Sequence, residues 1–131
     1  MIKNYVLGLS FKRKRVTIPV ESEQRMMDLG KTEIGDGFSF TYTMDDTDVI
    51  YGLGEANRGI NKRGYIYTSN CADDPNHTEE KVSLYGAHNF IIISGKQHIG
   101  MFFDYPSKIT FDVGYTRQDT LKVSCERADL Y

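Results

Sequence analysis

The sequence contains no tryptophan. Stand-alone sugar-binding modules usually stack their ligand on exposed tryptophan, so its absence weakens that reading, although tyrosine can also stack. Cysteine is scarce as well: Cys71 and Cys125 do not make a disulfide framework. Long apolar runs are missing. The N-terminus, Met1-Ile2-Lys3-Asn4-Tyr5, lacks the continuous apolar stretch of a signal peptide, and nothing later is long enough to span a membrane. A cytoplasmic protein is therefore expected, and the acceptor pattern Asn76-His77-Thr78, which matters only in a secretory compartment, carries little weight. An excess of charge of one sign is absent too. Lys+Arg 16 against Asp+Glu 18 leaves a formal net charge of -2, which supports neither nucleic acid nor an anionic membrane as a partner. Length is the last shortage. At 131 residues the chain fits one domain over 1–131, whereas a (β/α)8 barrel needs about 250.

Motifs that carry chemistry by themselves are also missing. The chain has no nucleophile elbow, no phosphate loop and no paired zinc-ligand motif. Gly52-Leu53-Gly54-Glu55-Ala56-Asn57 begins like a dinucleotide fingerprint, but Asn57 stands where the third glycine belongs and no parallel βαβ unit surrounds it. His77, His88 and His98 are not spaced as metal ligands, and His98 lies on the face opposite Ile99 and Met101, as a solvent-facing or hydrogen-bonded histidine does. Asp73, Asp74, Asn76, Glu79 and Glu80 offer oxygen ligands, yet the ligand order and central glycine of a calcium hand are lacking. No metal and no cofactor is expected. Adjacent Asp73 and Asp74 also diverge, whereas glycoside hydrolysis needs two carboxyls facing across a bond about 5–10 Å apart.

What is present is alternation with period two. Phe38, Phe40, Tyr42 and Met44 are separated by Ser39, Thr41 and Thr43. Similar sets run through Tyr5–Phe11, Val16–Val20, Ile99–Phe103, Ile109–Val113 and Leu121–Cys125. Each set aims every second side chain at one face, as half-buried strands require. Phe90-Ile91-Ile92-Ile93 has four apolar residues in a row and reads as a strand covered on both sides. Turn residues punctuate these runs: Gly35-Asp36-Gly37, Asp45-Asp46, Ser94-Gly95-Lys96 and Tyr105-Pro106-Ser107. Helical register is confined to Ser22–Leu29 and Glu79–Tyr85, too short to change the class. Lys12-Arg13-Lys14-Arg15 reads as an exposed hairpin tip. The expected fold is an all-β antiparallel sandwich.

The stretch 69–83 breaks the alternation and carries four carboxylates. A polar loop of this length is uncommon in a compact sandwich and is often functional. Its carboxylates can accept hydrogen bonds from sugar hydroxyls. At the other end, Leu130 and Tyr131 look like the start of a further apolar run, as expected of a piece cut near a domain boundary.

An ordered series of motifs goes beyond these patterns. Val49-Ile50-Tyr51-Gly52-Leu53-Gly54-Glu55 is followed by Asn57-Arg58-Gly59, Lys62-Arg63-Gly64-Tyr65 and the loop at Asn70. Then come Ser83-Leu84-Tyr85-Gly86, Asn89-Phe90-Ile91-Ile92, Ile99-Gly100-Met101-Phe102-Phe103-Asp104 and Phe111-Asp112-Val113-Gly114. The series resembles the N-terminal β-sandwich domain of glycoside hydrolase family 31, in the type found in gut Firmicutes, over residues 38–131. The resemblance implies a galactose-mutarotase-like sandwich at the head of a retaining α-glucosidase. It places the aspartate nucleophile and aspartate general acid on a following barrel in cis, so none of the catalytic residues lies in this chain and the isolated piece is expected to be inactive. It also implies that an Asn-x-Asp element on a loop helps bind an α-glucoside or oligosaccharide. The matching stretch here is Asn70-Cys71-Ala72-Asp73-Asp74, one residue longer, with Asp73 ahead of Asp74 as the sugar contact.

The remaining motif positions have structural readings. Gly52 and Gly54 suit a bulge or a close backbone approach. Glu55 and Arg63 are near enough in sequence to pair, and Tyr85 reads as packing. Two other functions remain open at this point: an autonomous carbohydrate-binding module, and a mutarotase-like isomerase, for which no His/Glu pair is evident. Separation from a barrel would expose an apolar patch, so self-association of the chain is also an expectation.

Overall fold

The computed structural model describes residues 5–7, 30–34, 37–73, 75–76, 78–81, 83 and 85–131. The stretches 8–29 and 35–36, and with them the expected Val16–Val20 strand, the Lys12–Arg15 tip and the Ser22–Leu29 turns, lie outside the described residues. So do Asp74 and His77.

Among the described residues ten strands follow in chain order: β1 (Tyr5–Leu7), β2 (Lys31–Ile34), β3 (Phe38–Thr43), β4 (Val49–Gly52), β5 (Tyr65–Ser69), β6 (Phe90–Ser94), β7 (His98–Asp104), β8 (Ile109–Val113), β9 (Thr120–Cys125) and β10 (Ala128–Leu130). They form two five-stranded sheets with the orders β1-β10-β7-β6-β4 and β2-β3-β9-β8-β5. Every pairing is antiparallel. The described residues contain no helix, and the Glu79–Glu80 stretch is only a turn, closed by Lys81 N donating to Thr78 O at 3.1 Å. The Leu130 end of the chain is part of β10, which lies between β1 and β7.

The alternation places the apolar set of each strand between the sheets. Phe38 and Phe40 of β3, Ile109, Phe111 and Val113 of β8, and Leu121 and Val123 of β9 are buried from one side. Ile50, Ile91, Ile93, Met101, Phe103 and Leu130 are buried from the other. Phe103 joins the layers: its ring centroid lies 6.1 Å from that of Phe40 and 5.7 Å, edge-on, from that of Phe111. Such tilted and edge-to-face contacts add about 0.5–1.5 kcal/mol per pair beyond the area they bury.

The outer faces differ sharply. Outside β3, β9 and β8, the in-register row Thr41, Lys122 and Asp112 is polar, and so is the row Ser39, Ser124 and Thr110. Outside β6 and β7 lie Phe90, Ile92 and Phe102, exposed by 44%, 37% and 41%, with Ser94 and His98 at one end. Among the described residues, the expectation that β6 is covered on both sides is thus met on one face only. The four-residue apolar run is real, but no described residue forms a second layer over its other face.

Candidate functional site

The segment 70–89 connects β5 in one sheet to β6 in the other. It carries no alternating pattern to feed a ladder, so its backbone groups need other partners. Both ends are pinned. The Ser69 hydroxyl donates to Asn89 Oδ1, and Asn89 Nδ2 donates to Tyr105 O at 2.9 Å. Ser83 Oγ donates to Asn70 O at 3.1 Å, and Cys71 Sγ donates to Tyr85 O at 3.1 Å.

The middle of the segment is held from outside by the β4–β5 connection. Asn57 Nδ2 donates to Thr78 O at 2.9 Å. Arg58 Nε donates to Glu79 O at 3.1 Å, and a second Arg58 nitrogen donates to Glu80 O at 2.9 Å. Arg58 does this from the left-handed backbone region, at φ 73, which a non-glycine residue adopts only when its surroundings enforce it. The enforcing group below it is Lys62, only 5% exposed, whose ammonium donates to the carbonyls of Ala56 at 2.5 Å, Gly59 at 2.8 Å and Asn57 at 3.2 Å. Burial pulls the Lys62 pKa below its ordinary value, while the three carbonyl acceptors favour the charged form.

Glycine allows these two connections to touch. Gly52 has φ 116, and a side chain there would run into the backbone at Phe90 and Ile91. Gly54 has φ 55 and lies against the His88 ring. The close backbone approach expected of both glycines is present. Beneath the contact is a cavity of about 20 Å³, lined by Leu53, Ala56, Tyr67, Ser69, Lys81 and His88 among others. Tyr67 Oη is buried with no hydrogen-bond partner among the described residues, and burial pushes its pKa up to about 12, although the Arg58 charge acts in the opposite direction.

The sequence-derived site residues fall on this pinned segment. Asn70 is half-buried at its start, and its carbonyl accepts from Ser83. Asp73 is exposed, beyond the anchoring contacts of Asn70 and Cys71. Asp74 lies outside the described residues. Sequence reasoning placed Asn57, Arg58 and Asn89 in the ordered motif series but singled out neither them nor Ser69 as anchors, because they bond main-chain atoms or each other, which residue order does not reveal. Two structural readings need correction. Arg63 turns away from Glu55 and donates to the carbonyls of Asp45 at 2.8 Å, Asp48 at 2.9 Å and Gln118 at 3.0 Å. Tyr85 is 58% exposed rather than packed. Among the described residues, no group of three or more His, Cys, Asp or Glu side chains converges as a metal site would.

Beside the segment opens a cleft of about 360 Å³, lined by Cys71, His88, Asn89, Phe90, Phe102 and Asp104 among others. The acidic segment and the apolar outer face of β6 and β7 are therefore neighbours.

Two antiparallel five-stranded sheets with a long crossover on their rim define a galactose-mutarotase-like β-sandwich. Residues 7–112 match the glycosyl hydrolase 31 N-terminal galactose mutarotase-like domain, and the chain belongs to that family. No curated protein matches it significantly. Among solved structures, the glycoside hydrolase family 31 dextranase of Flavobacterium johnsoniae, complexed with isomaltotriose, has a TM-score of 0.67 at 23% identity over 75% of this chain and 12% of its own. The cycloalternan-degrading enzyme of Trueperella pyogenes has a TM-score of 0.61 at 15% identity over 71% of this chain and 14% of its own. A Listeria monocytogenes protein, solved with glucose, magnesium and calcium, has a TM-score of 0.63 at 17% identity, covering 71% and 9%. At these identities the likeness is one of fold. This chain spans only a small part of the length of the enzymes it matches.

Proposed function

We propose that the chain is the N-terminal domain of a cytoplasmic retaining α-glucosidase that hydrolyses terminal α-linked glucose, and that the segment 69–83 binds sugar beside a catalytic barrel in cis. Asn70, Asp73 and Asp74 are the sugar-binding residues of this reading. The carrying observation is the contrast along the segment: Asn70, Cys71 and residues 78–80 are tied to the sandwich, while Asp73 stays exposed between them. A pre-positioned carboxylate accepts sugar hydroxyls with little ordering cost. The family membership supports the hydrolase assignment. The oligosaccharide-acting relatives support an α-glucan substrate.

Proton transfer and nucleophilic attack belong to the barrel, so this domain acts on substrate binding and orientation. The 131-residue chain incubated with p-nitrophenyl α-glucoside is expected to release nothing above blank. In the full-length enzyme, Asp73→Ala and Asn70→Ala are expected to lower kcat/KM at least tenfold through positioning. Turnover by the purified domain, or full-length variants with unchanged kinetics, would defeat the reading.

A further inference from the structure

The outer face of β4, β6, β7 and the chain end after β10 carries two apolar in-register rows beside the more polar row Val49, Ser94 and His98. One row is Tyr51, Ile92 and Gly100. The other is Phe90, Phe102 and Tyr131: Phe90 pairs with Phe102, and Phe102 and Tyr131 exchange both backbone hydrogen bonds, at 2.8 and 2.9 Å. The Phe102 and Tyr131 rings lie 6.3 Å apart. Gly100 has no side chain to shield this surface, and the Phe90 ring lies close over it. A single exposed apolar residue on a soluble domain needs no explanation, but a contiguous aromatic and aliphatic patch marks a contact surface. The opposite outer face, with Thr41, Lys122, Asp112, Ser39 and Ser124, shows what this sandwich presents to water.

We infer that the Tyr51–Ile92–Phe90–Phe102–Tyr131 face is the seat of the catalytic domain of the same polypeptide. Two observations select that occupant. The 75% of this chain that aligns with the matching dextranase spans 12% of that enzyme, so most of such an enzyme lies outside this sandwich. The cleft lined by Phe90 and Phe102 together with Cys71 and His88 makes the face continuous with the acidic segment. A domain seated here lies beside Cys71, two residues before Asp73 in the chain. The inference rests on the reading of the chain as one domain of a longer enzyme.

Thiol footprinting tests it. In a background with Cys71→Ser and Cys125→Ser, Ile92→Cys reports on the apolar face and Lys122→Cys on the polar one, with Phe90→Cys as a second face reporter should Ile92→Cys disturb the fold. Each is labelled in the 131-residue chain and in the full-length polypeptide. The expected result is at least tenfold slower labelling at position 92 or 90 in the full-length protein, with position 122 unchanged. Equal labelling in both forms overturns the proposal. So does protection in the short chain that grows with its concentration and equals that in the full-length protein, which would make a second copy the occupant. Glycosidase activity is read separately. A protected face in an inactive full-length protein defeats the functional reading and leaves the interface, and an active enzyme with an unprotected face does the reverse.

Discussion

The guanidinium of Arg58 lies 4.6 Å from the centre of the Tyr65 ring. Its nitrogens meanwhile donate to the carbonyls of Glu79 and Glu80. One side chain thus joins the β4–β5 connection, the first residue of β5 and the acidic segment. A cation over an aromatic ring contributes about 0.5–1 kcal/mol at an exposed site, and hydrogen bonds from a charged donor about 1.5–3 kcal/mol each.

Arg58→Ala is therefore expected to loosen the segment more than it destabilises the sandwich, because both acceptors lie on the segment and neither lies in the core. Hydrogen exchange at the Lys81 amide, which closes the turn to Thr78 O, should accelerate at least tenfold. Global stability should fall by about 1–2 kcal/mol. Arg58→Lys retains the charge without the planar fork and should fall between the two. Unchanged exchange at Lys81 in Arg58→Ala would show that the segment is held by its own ends alone.

Gly52 makes the opposite kind of prediction, a large global loss. Its φ of 116 lies outside the range of L side chains, and an added Cβ would strike the Phe90 carbonyl and Ile91 Cα, which are backbone atoms that cannot swing aside. The same Phe90 carbonyl accepts from Leu53 N at 2.9 Å, so relief of the clash would separate β4 from β6. Gly52→Ala is expected to cost about 3 kcal/mol or more in chemical denaturation. Gly59→Ala serves as the control: its φ is 77, but a Cβ there meets nothing within 4 Å, so only the backbone penalty of about 1–2 kcal/mol applies. Equal losses in the two variants would exclude steric contact as the cause.

The parts of the molecule that alternate were legible from residue order. Phe38, Phe40, Ile109, Phe111, Val113, Leu121 and Val123 all point inward as their spacing requires. The 70–89 crossover announced itself by the loss of that spacing. Apolar character alone could not tell which element covers a strand, so Phe90 and Ile92 suggested a second layer that the described residues do not supply. Charge proximity misled at Arg63 for a related reason. Its acceptors are the main-chain carbonyls of Asp45, Asp48 and Gln118, and a carbonyl leaves no trace in side-chain identity. Arg58 was hidden in the same way. The candidate sugar residues were marked by motif order rather than by their own chemistry.

Tyr67 gives a prediction at alkaline pH. Its ring lies beneath Lys62, with the ammonium 5.6 Å from the centroid, and its hydroxyl is buried without a partner among the described residues. Burial raises its pKa from 10.0 to about 12. Between those two values the unfolded chain releases the proton while the folded chain keeps it. The folded state then binds more protons, and stability falls as pH rises. The stabilisation is complete below pH 10 and is lost as pH rises through about 12. Tyr67→Phe removes both the titration and the unpartnered hydroxyl. At pH 7 its stability should equal that of the parent within about 1 kcal/mol or exceed it, since no hydrogen bond is lost. Between pH 10 and 12 its denaturation midpoint should decline less steeply than that of the parent, with the slopes of Tyr42 and Tyr105, also raised, common to both proteins. Parallel curves for the two proteins over that range would mean that Tyr67 ionises in the folded state as freely as in the unfolded one.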